Sequence, residues 1–253
     1  MKSRSLIIIS SAVTVVVLAV MMWFLPINDD FSLDNPYWNG TSDIVSTNSI
    51  TNLASFEELA QVPDNSALLL VPYIELTNNE LMLLKDFVTG GGTLILSDDY
   101  GYGNRILNSL NLEVRFSGQP LLDPLFNYKN QNLPRVYNFG TYGQTDENLN
   151  LILNHATCLT DVKDSQVLAL SSSFSYLDGN GNGEHDDDEA SGPFVFISEH
   201  FIDSGRVILI ADPSIFINGM EEISLNYSII KQVAGITAGE VYIDQLHLPY
   251  SKL

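Results

Sequence analysis

From residue 6 to residue 25 the chain reads LIIISSAVTVVVLAVMMWFL, an uncharged and mostly apolar stretch long enough to cross a bilayer as one helix. Pro26 marks its end, and residues 26–41, rich in Asn, Asp, Pro and Gly, read as a juxtamembrane linker. Beyond it the apolar pattern alternates between strand-like and helix-like runs. Asp43–Thr47 predicts a first strand and Phe56–Gln61 a short helix. Ala67–Pro72 (ALLLVP) is continuously apolar, as in a strand buried on both faces. Thr77 with Glu80 predicts a capping box, after which Leu81, Leu84, Phe87 and Val88 share one helical face as far as Gly90-Gly91-Gly92. Thr93–Ser97 is the next buried strand and Gly103–Leu110 the next helix.

Residues 112–165 break this rhythm. Leu112–Phe116, Arg135–Phe139 and Leu149–His155 are short strand candidates among Asn, Pro and Gly, expected as an excursion with some antiparallel pairing. Val167–Ser171, Phe194–Ser198 and Arg206–Ala211 return to strands, and Asp212-Pro213-Ser214 turns into a short helix. Asn226–Ala234 predicts the last full helix and Val241–Asp244 the closing strand. The alternation implies an α/β domain over 42–253, with a mostly parallel sheet and helices on both faces.

Charge gives this domain a side of the membrane. Lys2 and Arg4 precede the apolar stretch and Asp29 and Asp30 follow it, so the positive-inside rule puts residues 1–5 in the cytoplasm and the domain outside. The apolar run exceeds the roughly 7–15 residues of a signal peptide core, and no A-x-A site follows, which favours an uncleaved anchor at the cell membrane. Setting Lys2 and Arg4 aside, nine basic residues stand against 31 acidic ones. Such a surface repels nucleic acid and anionic lipid and attracts divalent cations. The one cysteine, Cys158, has no internal partner for a disulfide, so stability rests on a core.

Candidate chemistry is sharpest at residues 178–189, DGNGNGEHDDDE, which match the calcium-loop pattern D-x-[DN]-x-[DN]-G-x5-E. Ligands for Ca2+ would come from Asp178, Asn180, Asn182, the carbonyl of Glu184, Asp186 and Glu189, with Gly183 at the sharp turn. The strand pattern before the loop and Gly192-Pro193 after it depart from a helix–loop–helix setting. A lone external loop of this kind would bind at roughly 0.1–1 mM in a structural role. Two further turns follow strands and open helices: Asp98, Asp99, Gly101, Gly103 and Asn104 in one, Asp212, Ser214 and Asn218 in the other. Ligands of open parallel sheets bind beyond the carboxyl ends of the strands, so both turns are candidates for one pocket. Helix capping and turn chemistry explain the same residues. His155, His185, His200 and His247 show no zinc spacing, and His247 in its tail reads as surface. Tyr100, Tyr102, Phe126, Tyr128, Tyr137, Phe139 and Tyr142 fit either a groove for sugars or peptides or ordinary packing. Asn39-Gly-Thr41 and Asn226-Tyr-Ser228 match the N-glycan acceptor pattern, the first within the linker being the more accessible.

The segment ELMLLKDFVTGGGTLILSDDYGYGNRIL (80–107), following ALLLVP, resembles the flavodoxin-like, class I glutamine-amidotransferase-like fold. Taken with SYLDGNGNGE (175–184), GPF (192–194), ADPSIFIN (211–218) and IDQLHLP (243–249), the chain is similar to an archaeal branch of the domain-of-unknown-function family 4350. The resemblance implies a membrane-anchored protein with partners in an envelope complex, linked to MoxR-type ATPases and von Willebrand-type proteins. Amidotransferases of class I carry a nucleophilic Cys in the turn after the strand matching 93–97. Here that turn reads Ser97-Asp98-Asp99-Tyr100-Gly101-Tyr102-Gly103, and neither Cys158 nor Ser97 sits in a nucleophile elbow. The expectation is a catalytically inactive binding or scaffold domain stabilised by calcium. The rivals are a metal-dependent hydrolase using Asp98, Asp99 and Asp212, and a surface ligand or glycan sensor.

Overall fold

The computed structural model describes residues 2–23, 28–48, 50–139, 144–145, 150–163, 166–224, 226–233, 235 and 239–249. Phe24, Leu25, Pro26, Tyr142, Leu149 and Ala234, which figure in the sequence-based expectations, lie outside these residues. Helix α1 covers Lys2–Trp23, with side chains described for 7–18, 20 and 21. Among the described residues no helix is long and apolar enough to cross a membrane.

The domain is a mixed α/β structure around a largely parallel central sheet. Helix α2 (Ser42–Asn48) leads into β1 (Ile50–Leu53), a 3-10 turn at Phe56–Ala60 and β2 (Ala67–Leu70). Helix α3 (Asn78–Thr89), β3 (Thr93–Ser97) and α4 (Asn104–Ser109) follow. The middle holds seven two-residue strands: β4 (Arg115–Phe116), β5 (Leu121–Leu122), β6 (Arg135–Val136), β7 (Asn138–Phe139), β8 (Gln144–Thr145), β9 (Leu151–Ile152) and β10 (Leu159–Thr160). Then come β11 (Val167–Leu170), β12 (Tyr176–Leu177), β13 (Val195–Ile202) and β14 (Gly205–Ile210). A 3-10 turn at Pro213–Phe216, α5 (Asn218–Ser224), α6 (Asn226–Val233) and β15 (Val241–Asp244) complete the chain order.

The sheet runs β1-β15-β2-β3-β14-β13-β11-β7-β8. Its first five strands are parallel. From β13 onward the pairing is antiparallel. The switch has a local cause: β13 and β14 are joined across Asp203-Ser204, a connection too short for a parallel crossover. The last strand does not close the sheet at an edge but inserts between β1 and β2. Leu68, Leu69, Leu70, Leu94, Ile95, Leu96 and Val207–Ile210 are all at most 1% exposed, which matches the continuous apolar runs. Burying each such side chain contributes about 1.5–3 kcal/mol.

Two expectations at the front of the domain are corrected. Asp43–Thr47 is helix, not strand: the Asp43 N–H donates to Asn218 Oδ1 at 3.0 Å, and Ile44 is fully buried in the core. The first strand is instead Ile50–Leu53, paired to β15. Residues 28–41, read as a linker, are packed onto the domain. Phe31, Asn35, Asn39 and Thr41 are buried, and Asn218 Nδ2 donates to the carbonyls of Asn35 and Tyr37 at 3.2 and 2.7 Å. By contrast, Thr77 and Glu80 form the expected capping box, and Leu81, Leu84, Phe87 and Val88 are the buried face of α3.

Candidate functional site

The parallel strands deliver their C-terminal ends to one side of the sheet, and the turns that follow β2, β3 and β14 meet there. Between them and the 28–41 segment lies a cavity of about 390 Å3, lined by Asp30, Phe31, Trp38, Asn39, Tyr73, Asp99, Tyr100, Asn154, His155, Ser214 and Ile217. This is within the ~300–1,000 Å3 range of small-molecule sites. The two aspartate turns do face one pocket, through Asp99 and Ser214. A smaller cavity of about 310 Å3 at the opposite end of the strands is lined by backbone-rich positions and Arg206, whose guanidinium pairs with Glu199 at 2.7 Å.

The three candidate carboxylates have different work. Asp98 follows β3 directly, and its Oδ1 accepts from the Tyr100 N–H at 2.9 Å while Oδ2 accepts from Gly103 at 2.7 Å. Burial raises its carboxyl, and the surrounding backbone N–H groups oppose that rise. A Cβ at Gly103 would lie 3.0 Å from the Phe116 ring and 3.2 Å from Asp98 Oδ2, a close approach that favours glycine here. Gly101 holds φ at +92°, the left-handed region that closes the turn. Asn104 is tied to β4, donating to the Phe116 carbonyl at 3.0 Å and accepting its N–H at 2.9 Å. Asp212 is fully buried, with Oδ1 accepting from Ser214 at 2.9 Å and Oδ2 from the Asn154 N–H. Burial holds its carboxyl well above the usual range. Asn218 anchors the 28–41 segment and does not line the cavity. Turn hydrogen bonds therefore account for Asp98, and capping of the 3-10 turn for Asp212.

Asp99 is different. Burial, and then the neighbouring Asp98, push its carboxyl up to about 7. Its own backbone N–H acts on the group, but Oδ1 is buried and meets no donor from another described residue. Such an oxygen is costly unless something pairs with it. Around it stand aromatic rings. Tyr73 lies 5.6 Å from Phe31 and 6.2 Å from Tyr100, and Tyr100 stacks on Tyr102 at 5.6 Å. Burial, followed by Asp99, Tyr100, Asp30 and Asp212, drives the Tyr73 phenol strongly upward. The sequence reading missed Tyr73, although it follows directly on ALLLVP. It also missed Asn154 and the whole 28–41 wall.

Residues 178–189 form a closed loop on the β12–β5 pair. Asp178 Oδ1 accepts from Gly181 and Asn182 at 2.7 and 3.1 Å, and Oδ2 from Gly183 at 2.9 Å. The carboxamides of Asn180 and Asn182 both donate to Asp186 Oδ2, at 2.7 and 2.8 Å. Glu189 accepts from the Gly179 and Asp186 N–H groups. Tyr176 and Gln131 hold the Gly183 carbonyl at 2.9 and 2.8 Å, and His185 stacks on Tyr176 at 4.9 Å. The side chains expected to bind calcium are thus gathered in one ring, with Glu184 on it through its N–H to Asn182 Oδ1. Among the described residues no three His, Cys, Asp or Glu are grouped to hold a metal. The donor set here depends on two Asn side chains and a backbone carbonyl, an all-oxygen composition that fits Ca2+.

Other candidates resolve differently. Cys158 is buried, and burial pushes its thiol up to about 11, so no thiolate forms near neutrality. Ser97 Oγ donates to the Ile210 carbonyl inside the sheet. His247 is not surface. It is 3% exposed, with Nδ1 2.9 Å from Asp244 Oδ2, Nε2 3.5 Å from Glu80 and its ring edge-on to Phe56. Asn39 and Asn226 are buried with their carboxamides engaged, Asn39 to the Asn28 carbonyl and Asp30, Asn226 to the Ile152 carbonyl at 3.0 Å. The folded domain leaves neither carboxamide open to a glycan.

Among solved structures the domain is similar to the N-terminal domain of mmIFT52. The identity is 13%, over 78% of this chain and 89% of that one, with a TM-score of 0.54, a likeness of fold alone. A β-galactosidase from Bacillus circulans sp. alkalophilus matches at 9% identity, over 67% of this chain and 23% of that one, with a TM-score of 0.38. No curated protein matches the sequence. The profile of one family, described as a domain of unknown function (DUF4350), covers residues 34–226, and the chain belongs to that family.

Proposed function

We propose that this chain is a non-catalytic ligand-binding domain on an amidotransferase-like, flavodoxin-type fold, held outside the cell membrane by its N-terminal helix. The observation that carries it is the division of labour at the strand ends. Asp98 and Asp212 are taken up by backbone N–H groups, and of the two carboxylates lining the cavity Asp30 accepts from Asn39 Nδ2, so Asp99 alone presents a buried oxygen with no donor from another described residue. A hydrolase reading needs two free carboxylates or an activated nucleophile there. Supporting the anchor is the sequence: residues 6–25 carry no charge, and Lys2 and Arg4 precede them while Asp29 and Asp30 follow. Calcium held by Asp178, Asn180, Asn182, the Glu184 carbonyl, Asp186 and Glu189 would tie down the acidic loop beside the domain. Envelope proteins are the expected partners, with MoxR-type ATPase systems, near which bacterial relatives are encoded, among the candidates, and the chain itself is read as one of an archaeal branch of the family.

The test is site-specific photo-crosslinking in native membranes. A crosslinker at Tyr102, on the rim of the cavity, is compared with one at Phe201, exposed at the far end of the strands. Adducts from position 102 and none from 201 support the reading. Equal yields from both positions sink it.

A further inference from the structure

The chemistry of the cavity narrows its ligand to one class, a step that rests on the binding-domain reading. We propose that the cavity binds a small organic ammonium ion with a methylated nitrogen, its charge facing Asp99 and its methyl groups packed on Phe31, Trp38, Tyr73 and Tyr100.

Three observations converge on that class. Among the described residues the lining holds two carboxylates, Asp30 and Asp99, and no Lys or Arg. One Asp99 oxygen is buried without a donor from another described residue, so the site presents an acceptor that a cation would satisfy. The walls are aromatic, and two of the rings carry large open faces: Trp38 is 68% and Tyr100 63% exposed. Open ring faces beside an unpaired carboxylate attract a methylated cation through the ring quadrupole and through apolar contact together. The backbone that carries Trp38 is held in place rather than free. Its carbonyl accepts the Gly219 N–H at 2.9 Å, and a Cβ at Gly219 would come within 3.2 Å of that oxygen.

The alternatives fit less well. A hard metal ion takes six or more oxygen ligands. Here the Asn39 carboxamide is occupied, its Oδ1 by Asn35 at 3.0 Å and its Nδ2 by the Asn28 carbonyl and Asp30, and four of the lining side chains are Phe, Trp or Tyr rings. An anion would meet Asp30 and Asp99 with no described Lys or Arg in the lining to balance them. A neutral sugar would stack on the rings but leave the Asp99 charge uncompensated. Burial first, and neighbouring acidic groups after it, push both the Asp99 carboxyl and the Tyr73 phenol upward.

The experiment is calorimetry on the full chain in nanodiscs of phosphatidylglycerol, which carry no choline head group. Tetramethylammonium and choline chlorides are titrated against sodium chloride at equal ionic strength, with methyl β-galactoside as the uncharged probe. Saturable binding of the two ammonium ions is expected, weakened about tenfold or more by Asp99→Asn and several-fold by Tyr100→Ala. Thermal melting shows that both variants fold. No saturable ammonium binding up to roughly 50 mM, or equal binding by Asp99→Asn, overturns the proposal. Binding of the galactoside in place of the ammonium ions also overturns it, yet leaves the binding-domain reading intact. That reading fails separately, if crosslinking is equal at the two ends of the sheet.

Discussion

At the ends of β3 and β14 the carboxylates are drawn out of water, whereas in the 178–189 loop all but Asp178 reach solvent. Both regions are acidic, and both use backbone N–H groups to orient an aspartate. They differ in what surrounds the leftover charge. In the loop, Asn180, Asn182 and Asp186 bond to one another, so the unfilled acceptors can rearrange around an ion at little cost. At the strand ends, Asp99 stands among aromatic rings, its Oδ1 takes no hydrogen bond from another described residue, and burial raises its carboxyl. On the proposed reading the same residue type would hold a cation in wet surroundings and serve as a recognition charge in drier ones, with burial rather than the count of acids making the difference.

Breaking the strand-end scaffold is expected to have the largest effect. Asp212→Ala strips two backbone N–H groups of their buried acceptor and should cost about 2–4 kcal/mol in chemical denaturation. A loss under about 0.5 kcal/mol would remove capping as its role. Asp99→Asn should act in the opposite direction. Its folded value of about 7 lies above the ordinary 3.8, so the stability tied to its protonated form is complete in acid and lost as pH rises through about 7. The variant should match the parent near pH 3 and exceed it at pH 8 by roughly 1–3 kcal/mol, allowing for partial solvent access. No pH-dependent gap between their melting temperatures would place Asp99 in water.

The loop supplies the contrast. At 10 mM calcium, a site of roughly 0.1–1 mM affinity adds about 1.4–2.7 kcal/mol, and Glu189→Gln should abolish that gain while leaving the Asp99 behaviour untouched. Equal stabilisation by magnesium would reduce the loop to an acidic surface. The smallest effect is expected at His247. Burial lowers its affinity for a proton, but Asp244 and Glu80 outweigh burial and raise it. The contribution is therefore full below about 6.5 and lost as pH climbs through the raised folded value. His247→Gln should flatten melting temperature against pH above neutrality by about 1 kcal/mol or less.

Much of the scaffold was readable because its signals are local. Thr77 and Glu80 are neighbours, ALLLVP is a single run, and Gly90-Gly91-Gly92 ends its own helix. The misreadings involve at least one partner distant in the chain: Asn218 for Asp43 and for the 28–41 segment, Glu80 for His247. The β-branched residues of Asp43–Thr47 suggested a strand, yet Asn218 caps that segment from across the domain and makes it helix. Residues 28–41 looked like a linker because their buried contacts are made by Asn35, Asn39 and Thr41, polar residues that composition assigns to solvent. His247 looked like tail because nothing in its neighbourhood announces Glu80. The candidate site was half visible for the same reason: strand ends are marked by sequence, but the wall opposite them is contributed by a segment that no periodicity identifies.

Asn218 gives that wall a mechanical meaning. Its carboxamide clasps the carbonyls of Asn35 and Tyr37 and the Asp43 N–H, fastening α5 to the stretch that follows the N-terminal helix. A pull on the chain at residue 28 would load the Gln245 bonds to Phe31 and Leu33 and then this clasp, so the wall of the cavity and the end of β15 would take up strain together.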